Sequence, residues 1–236
     1  FVATSQYGKR VAQLGEEPWR IMVSGAPSLD NLDTVRLLSR DALEAKYGVP
    51  IPDAPVLVTF HPVTLEYEQA EWQAAELLAA LEVCNMPAVF TMPNSDTNGR
   101  LIHRMFIEYV DRHPKSVMVD NLGTEGYFSL MDIASAMLGN SSSGIIEALS
   151  FHLPVVNIGN RQAGRTRGPN VIDVDHTRTE ILEGIRMAIQ PDFRRDLLEV
   201  DNPYSCGQAS DKIIERLKHV ALDDRLMKKE FCDLST

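Results

Sequence analysis

No stretch of this 236-residue chain approaches the roughly 20 consecutive apolar residues that span a bilayer, so no membrane-spanning segment is expected. Basic charge is also short. The 23 Lys and Arg stand against 33 Asp and Glu, and a net charge of −10 argues against a nucleic-acid or membrane-surface partner. Cys84, Cys206 and Cys232 are odd in number and never spaced C-x-x-C. Neither a disulfide framework nor a zinc site follows from them, and a reducing cytoplasm is the expected setting. The signatures of fixed spacing are missing too: no G-x-G-x-x-G after a strand, no G-x-x-x-x-G-K-[ST], no G-x-S-x-G and no H-E-x-x-H. Dinucleotide oxidoreductases, P-loop kinases, serine hydrolases and zincins lose their main support, and no metal or cofactor is expected. There is no internal repeat. The chain opens Phe-Val-Ala-Thr, without a methionine or a signal peptide, and reads as part of something longer.

What is there is alternation. Short apolar runs at 20–25, 55–60, 88–93, 116–121, 135–140, 154–159 and 171–175 read as strands, near-continuous in apolar character as in a parallel sheet covered on both faces. Helical stretches lie at 66–84, 100–113, 126–137, 145–151, 179–190 and 209–222, and in the first of them Trp72, Leu77, Leu78 and Leu81 are available to a core. This order implies an α/β fold, a doubly wound Rossmann-like parallel sheet, over residues 53–205. Residues 1–52, with a single strand and leading into the three prolines of PIPDAP at 50–55, read as the tail of another domain and a linker, and 206–236 as closing helices.

In such a sheet, ligands bind outside the carboxyl ends of the strands. His61 stands at one strand end, where an imidazole can donate to phosphate or assist proton transfer. Asn94 and Asp96 close the next strand: an Asx turn accounts for them, and so does a sugar or nucleotide hydroxyl. Asn121-Leu122-Gly123 ends another strand, with backbone groups free for a planar base edge. The segment Asn140-Ser141-Ser142-Ser143-Gly144 is a strand-to-helix turn with a serine cap, or a cradle of N–H and O–H groups for a diphosphate. Glu147 would repel a diphosphate but accept two protons from a ribose diol. Arg161 opens the most basic segment of this acidic chain, where a guanidinium fork matches phosphate oxygens.

Taken together, FHPVT, MPNSD, GNSSSGIIEALSFHLPVVNIGNRQAGR and the closing KKEFCD resemble the hydrolysing UDP-N-acetylglucosamine 2-epimerases of sialic- and legionaminic-acid pathways. The non-hydrolysing branch usually carries His-Arg-Arg-Glu-Asn where this chain has His61-Pro62-Val63-Thr64, and Ser-Asp-Ser-Gly-Gly at the serine loop. The resemblance covers nearly the whole chain and implies the C-terminal three-fifths of a glycosyltransferase-B-type two-domain enzyme, its last helix crossing back toward the first domain. It implies that Ser141 and Ser142 hold the diphosphate with Gly144 permitting approach, that Glu147 holds the ribose, and that Leu122 meets uracil through its backbone. His61, Asn94 and Arg161 would line the diphosphate and sugar side, with Asp96 beside them, and His61 would be the one direct catalytic candidate. The family's acid/base carboxylates belong to the first domain, so this chain alone is expected to be inactive. The implied reaction releases UDP and free N-acetylmannosamine or a related 2-epimer. UDP-N,N'-diacetylbacillosamine as substrate, a non-hydrolysing epimerase, a glycosyltransferase of the same architecture and a UDP-sugar sensor are the alternatives. The expected partner is a UDP-sugar, and the expected assembly a homo-oligomer.

Overall fold

The computed structural model describes residues 1–94 and 96–233. The chain divides into two compact units, Val35–Val200 and a second built from Phe1–Thr34 with the residues from Asp201 onward.

In the larger unit six parallel strands form one sheet: β1 (Val56–Thr59), β2 (Ala88–Thr91), β3 (Val117–Val119), β4 (Ala136–Gly139), β5 (Val155–Ile158) and β6 (Val171–Val174), in the order β3-β2-β1-β4-β5-β6. Every residue of β1, β2, β4 and β5 is buried, which is why these segments read as continuous apolar runs rather than alternating ones. The strand expectations from residue 55 onward hold.

Two helices lie at Ser5–Gln13 (α1) and Arg40–Tyr47 (α2), and the crossovers follow as Ala70–Cys84 (α3), Gly99–Arg112 (α4), Gly123–Ile133 (α5), Ser142–Ile146 (α6) and Arg178–Ala188 (α7). Val56, Val58, Phe90, Leu138 and Val156 join side chains of α3, α4 and α7 in one core cluster. On the other face α6 closes on Met137 and Val155, because Gly144 has no side chain: a Cβ there would sit 2.9 Å from Val155 Cγ1. Three further helices are Pro191–Asp196 (α8), Ala209–His219 (α9) and Asp224–Met227 (α10).

Three expectations change. Residues 20–25 are not a strand, since Val23 makes a single parallel bridge to Val2 and no sheet partner follows. Trp72 does not enter the core; it is 47% exposed, one step off the buried stripe of Ala70, Gln73, Ala74, Leu77, Leu78 and Leu81. The helix expected over 126–137 ends at Ile133, because Ala134 turns extended and the next residues enter β4.

Residues 35–52 cluster with the sheet rather than with residues 1–34. Leu43 and Ile51 are buried, the Leu38 N–H donates to Ser129 Oγ at 2.9 Å, and the Tyr47 hydroxyl donates to the Leu122 carbonyl at 2.6 Å. In the smaller unit, the Asp30 carboxylate caps α9 by accepting the Ala209 and Ser210 N–H groups at 2.8 and 2.7 Å. Arg20 reaches the carbonyls of Leu226 and Arg225 from the same unit.

Candidate functional site

The strand order reverses between β1 and β4, which makes their carboxyl ends the switch point of the sheet. Gly139 ends β4 at φ 135°, and a Cβ there would lie 2.0 Å from the Thr59 carbonyl oxygen. Only glycine permits that approach.

Asn140 follows, 1% exposed, and its side chain joins the two strand ends. Its Oδ1 accepts the His61 N–H at 2.8 Å and its Nδ2 donates to the His61 carbonyl at 2.8 Å. Its own carbonyl accepts from Arg161 Nη1 at 3.1 Å and from Gln162 Nε2 at 2.8 Å. One buried asparagine therefore fixes the histidine loop and the arginine loop against the start of the serine loop.

His61 Nδ1 accepts the Asn94 N–H at 3.1 Å. An accepting Nδ1 leaves the proton on Nε2, so the neutral ring is a hydrogen-bond donor at its other nitrogen. Burial, then the positive charge of Arg161, lowers the His61 pKa to about 4, while Asp96 opposes the shift. The ring is neutral across the physiological range. Burial likewise pulls Arg161 below its ordinary value, again opposed by Asp96.

Asn94 Nδ2 donates to Asp96 Oδ2 at 2.6 Å. Because a carboxylate only accepts, this bond sets the amide's orientation and leaves Oδ1 as the free end. That Oδ1 is buried and has no hydrogen-bond partner among the described residues. A buried lone acceptor costs about 1–3 kcal/mol, and it is satisfied by a hydroxyl or an N–H, not by a phosphate oxygen. Ser95 lies outside the described residues.

Ser141 is the N-cap of α6, its Oγ accepting the Ser143 N–H, and the Ser141 and Ser143 hydroxyls are 2.8 Å apart. Ser142 is the first helical residue and half-buried. Gly144 has the packing role described above, which the resemblance did not imply. Glu147, buried at 8% exposure, ends the helix, and its charge acts on the Tyr127 hydroxyl. Leu122 caps α5, and its carbonyl already accepts the Tyr47 O–H and the Gly126 N–H. Both lone pairs are taken, so its free backbone donor is the group left for a base edge.

The structure thus bonds His61, Asn94 and Asp96 in series and joins Arg161 to them through Asn140, with Ser141 one residue beyond that hub. Ser142, Gly144 and Glu147 share the adjoining turn. Leu122 stands apart at the head of α5, with no bond to the cluster among the described contacts. Sequence reasoning missed three residues here. Asn140 was read only as part of a polar turn, Tyr127 only as a helical residue, and Gln162 only as a loop residue. A polar residue directly after a buried strand was the available signal for Asn140. Among the described residues no group of three His, Cys, Asp or Glu could hold a metal ion, and no helix is long and apolar enough to cross a membrane.

A protein-family model described as UDP-N-acetylglucosamine 2-epimerase matches residues 1–218. The chain is 36% identical over 230 residues to a UDP-N,N'-diacetylbacillosamine 2-epimerase (hydrolyzing) of Legionella pneumophila, covering 97% of this chain and 59% of that protein. It is 36% identical over 237 residues to a GDP/UDP-N,N'-diacetylbacillosamine 2-epimerase (hydrolyzing) of Campylobacter jejuni, covering 99% of this chain and 61% of that one. The solved UDP-GlcNAc 2-epimerase of Neisseria meningitidis bound to UDP-GlcNAc shares the fold, with a TM-score of 0.72 at 18% identity, over 92% of this chain and 60% of that structure. The chain spans about three-fifths of the length of the curated relatives it matches.

Proposed function

We propose, from the fact that this chain belongs to the UDP-N-acetylglucosamine 2-epimerase family, that it is the UDP-binding portion of a hydrolysing UDP-sugar 2-epimerase. The observation that carries the reading is the cluster at the switch point. Neutral His61, cationic Arg161 and the Ser141 hydroxyl offer donors, and Asn94 Oδ1, without a partner among the described residues, offers a buried acceptor.

The two kinds of group suit the two parts of a nucleotide-sugar. A diphosphate carries only acceptors, so Ser141, Ser142, Arg161 and the Nε2–H of His61 are its partners. Sugar hydroxyls and an acetamido N–H are donors, so Asn94 Oδ1 and Asp96 belong to the sugar. Glu147 takes the ribose diol, and Leu122 offers its N–H to the uracil edge. Gly144 serves this site through packing, by letting α6 lie on the sheet.

In the proposed reaction a base removes the proton at sugar C2 as UDP leaves C1, which gives a glycal. Water then adds, with its hydroxyl to C1 and a proton to C2 from the opposite face, and the free 2-epimer results. His61, neutral with its proton on Nε2, donates to the departing diphosphate and stabilises its developing charge. The carboxylates that exchange the C2 proton lie outside this chain, and the chain alone binds UDP without turnover. The three cysteines, free in the structure, accord with a cytoplasmic setting, and a homo-oligomer remains the proposed assembly.

The first-named substrate is UDP-N-acetylglucosamine. UDP-N,N'-diacetylbacillosamine, the sugar in the names of the two hydrolysing relatives at 36% identity, is the second reading. Incubating the full-length protein with each nucleotide-sugar, without an acceptor, decides between them. Release of a free 2-epimer and UDP from one is the expected result. Interconversion without sugar release, or a requirement for an acceptor, contradicts the hydrolysing reading.

A further inference from the structure

Five hydroxyls run in series from inside the sheet to the serine loop. Thr91 Oγ1 lies 3.0 Å from Thr59 Oγ1, Thr59 Oγ1 lies 3.0 Å from the Tyr127 hydroxyl, and that hydroxyl lies 2.8 Å from Ser143 Oγ. Ser143 Oγ is in turn 2.8 Å from Ser141 Oγ. Three strand-end elements and α5 contribute to this line, and Thr59 also meets the cluster around His61 through its carbonyl, which accepts the Asn140 N–H at 3.2 Å.

Each hydroxyl has one proton, and the Thr91 hydroxyl is a donor, to Thr59 Oγ1 or to the Val58 carbonyl 3.2 Å away. When Thr91 donates to Thr59, Thr59 gives its proton to Tyr127, Tyr127 to Ser143 and Ser143 to Ser141. Ser141 is then free to donate its own proton into the cleft.

Tyr127 is the middle member of this line, between Thr59 and Ser143. Burial raises its pKa, so it keeps its proton at neutral pH. We infer that Tyr127 is a positioning residue for the anion site: through Ser143 it holds the Ser141 hydroxyl outward as a donor to a bound diphosphate. Bonds in such a chain strengthen one another, so Ser141 at its end is a better donor than an isolated serine.

The inference rests on Ser141 contacting the diphosphate, and a double-mutant cycle separates the two claims. UDP is titrated calorimetrically into the chain and into its Tyr127→Phe, Ser141→Ala and doubly substituted forms, each with its thermal midpoint recorded. Phenylalanine keeps the ring and removes only the hydroxyl. The expected outcome is a loss of roughly 3- to 10-fold in UDP affinity for Tyr127→Phe, as for one weakened hydrogen bond to a charged group. In the Ser141→Ala background the same substitution then changes affinity by less than twofold, which a merely structural role would not produce. Equal losses in both backgrounds, or no loss at all, overturn the role of Tyr127. Unchanged affinity in Ser141→Ala overturns the diphosphate contact itself and the inference with it. If Tyr127→Phe lowers the thermal midpoint markedly, Thr59→Val breaks the same line one member further in, and the same cycle with Ser141→Ala decides.

Discussion

Asn140 does more at this site than any residue singled out from the sequence, and it does so without facing a ligand. Its buried amide bonds both backbone groups of His61, and its carbonyl takes Arg161 and Gln162. Replacing it with Asp puts an acceptor opposite the His61 carbonyl and a charge in a buried place, so Asn140→Asp is expected to lower stability by about 3 kcal/mol or more, read from urea unfolding. Ser141→Ala removes a cap and a ligand donor at once. The expected result is a loss of about 1 kcal/mol in stability and a 5- to 30-fold weaker UDP affinity, roughly 1–2 kcal/mol. His61 has its own signature in pH. Its folded pKa of about 4 lies below the ordinary 6.5. Between these values the unfolded chain binds a proton that the folded chain refuses. The stability is therefore complete above pH 6.5 and declines as pH falls toward 4, by up to about 3 kcal/mol. Comparing unfolding of the chain and of His61→Gln from pH 4 to 7 checks this, since the variant lacks that slope. The sequence showed His61, Asn94, Asp96 and Arg161 as chemistry at strand ends, because strand ends are readable from apolar runs. It did not show that His61 is a neutral donor, since that follows from which backbone N–H meets Nδ1.

At the scale of elements, the strands were legible because burial on both faces demands continuous apolar residues. The segment 20–25 met the same criterion and failed, since a strand needs a neighbour and, among the described residues, Val23 finds only Val2. Trp72 failed for a different reason: apolar composition does not say which side of a helix meets the sheet when small alanines occupy so much of the buried stripe. The close contact of β1 with β4 gives a sharper test. Gly139→Ala forces a Cβ onto the Thr59 carbonyl at a φ of 135°, and a loss of about 2–4 kcal/mol is expected. Gly164 also has a positive φ, 77°, but no atom within 4 Å of an added Cβ. Gly164→Ala should therefore cost only about 1 kcal/mol. Equal costs at the two positions in chemical unfolding contradict the steric account of the switch point.

For the whole molecule, the sheet unit Val35–Val200 contains its own core and every residue of the candidate site. The sequence reading began this unit at residue 53. It had no way to see that Leu43, Tyr47 and Ile51 pack on the sheet side, because a proline-rich segment looks the same whether it links two domains or wraps one. Residues 35–200 made alone should unfold cooperatively and bind UDP as the entire chain does. The central claim is that the switch-point cluster of His61, Asn94, Ser141 and Arg161 is a UDP site. Calorimetric titration of the 236-residue chain with UDP, beside its Arg161→Ala form, tests it most directly. Binding below millimolar concentration, weakened about tenfold or more by the loss of the guanidinium, is the predicted result. No binding at millimolar UDP, or equal binding by the two forms, would contradict the account.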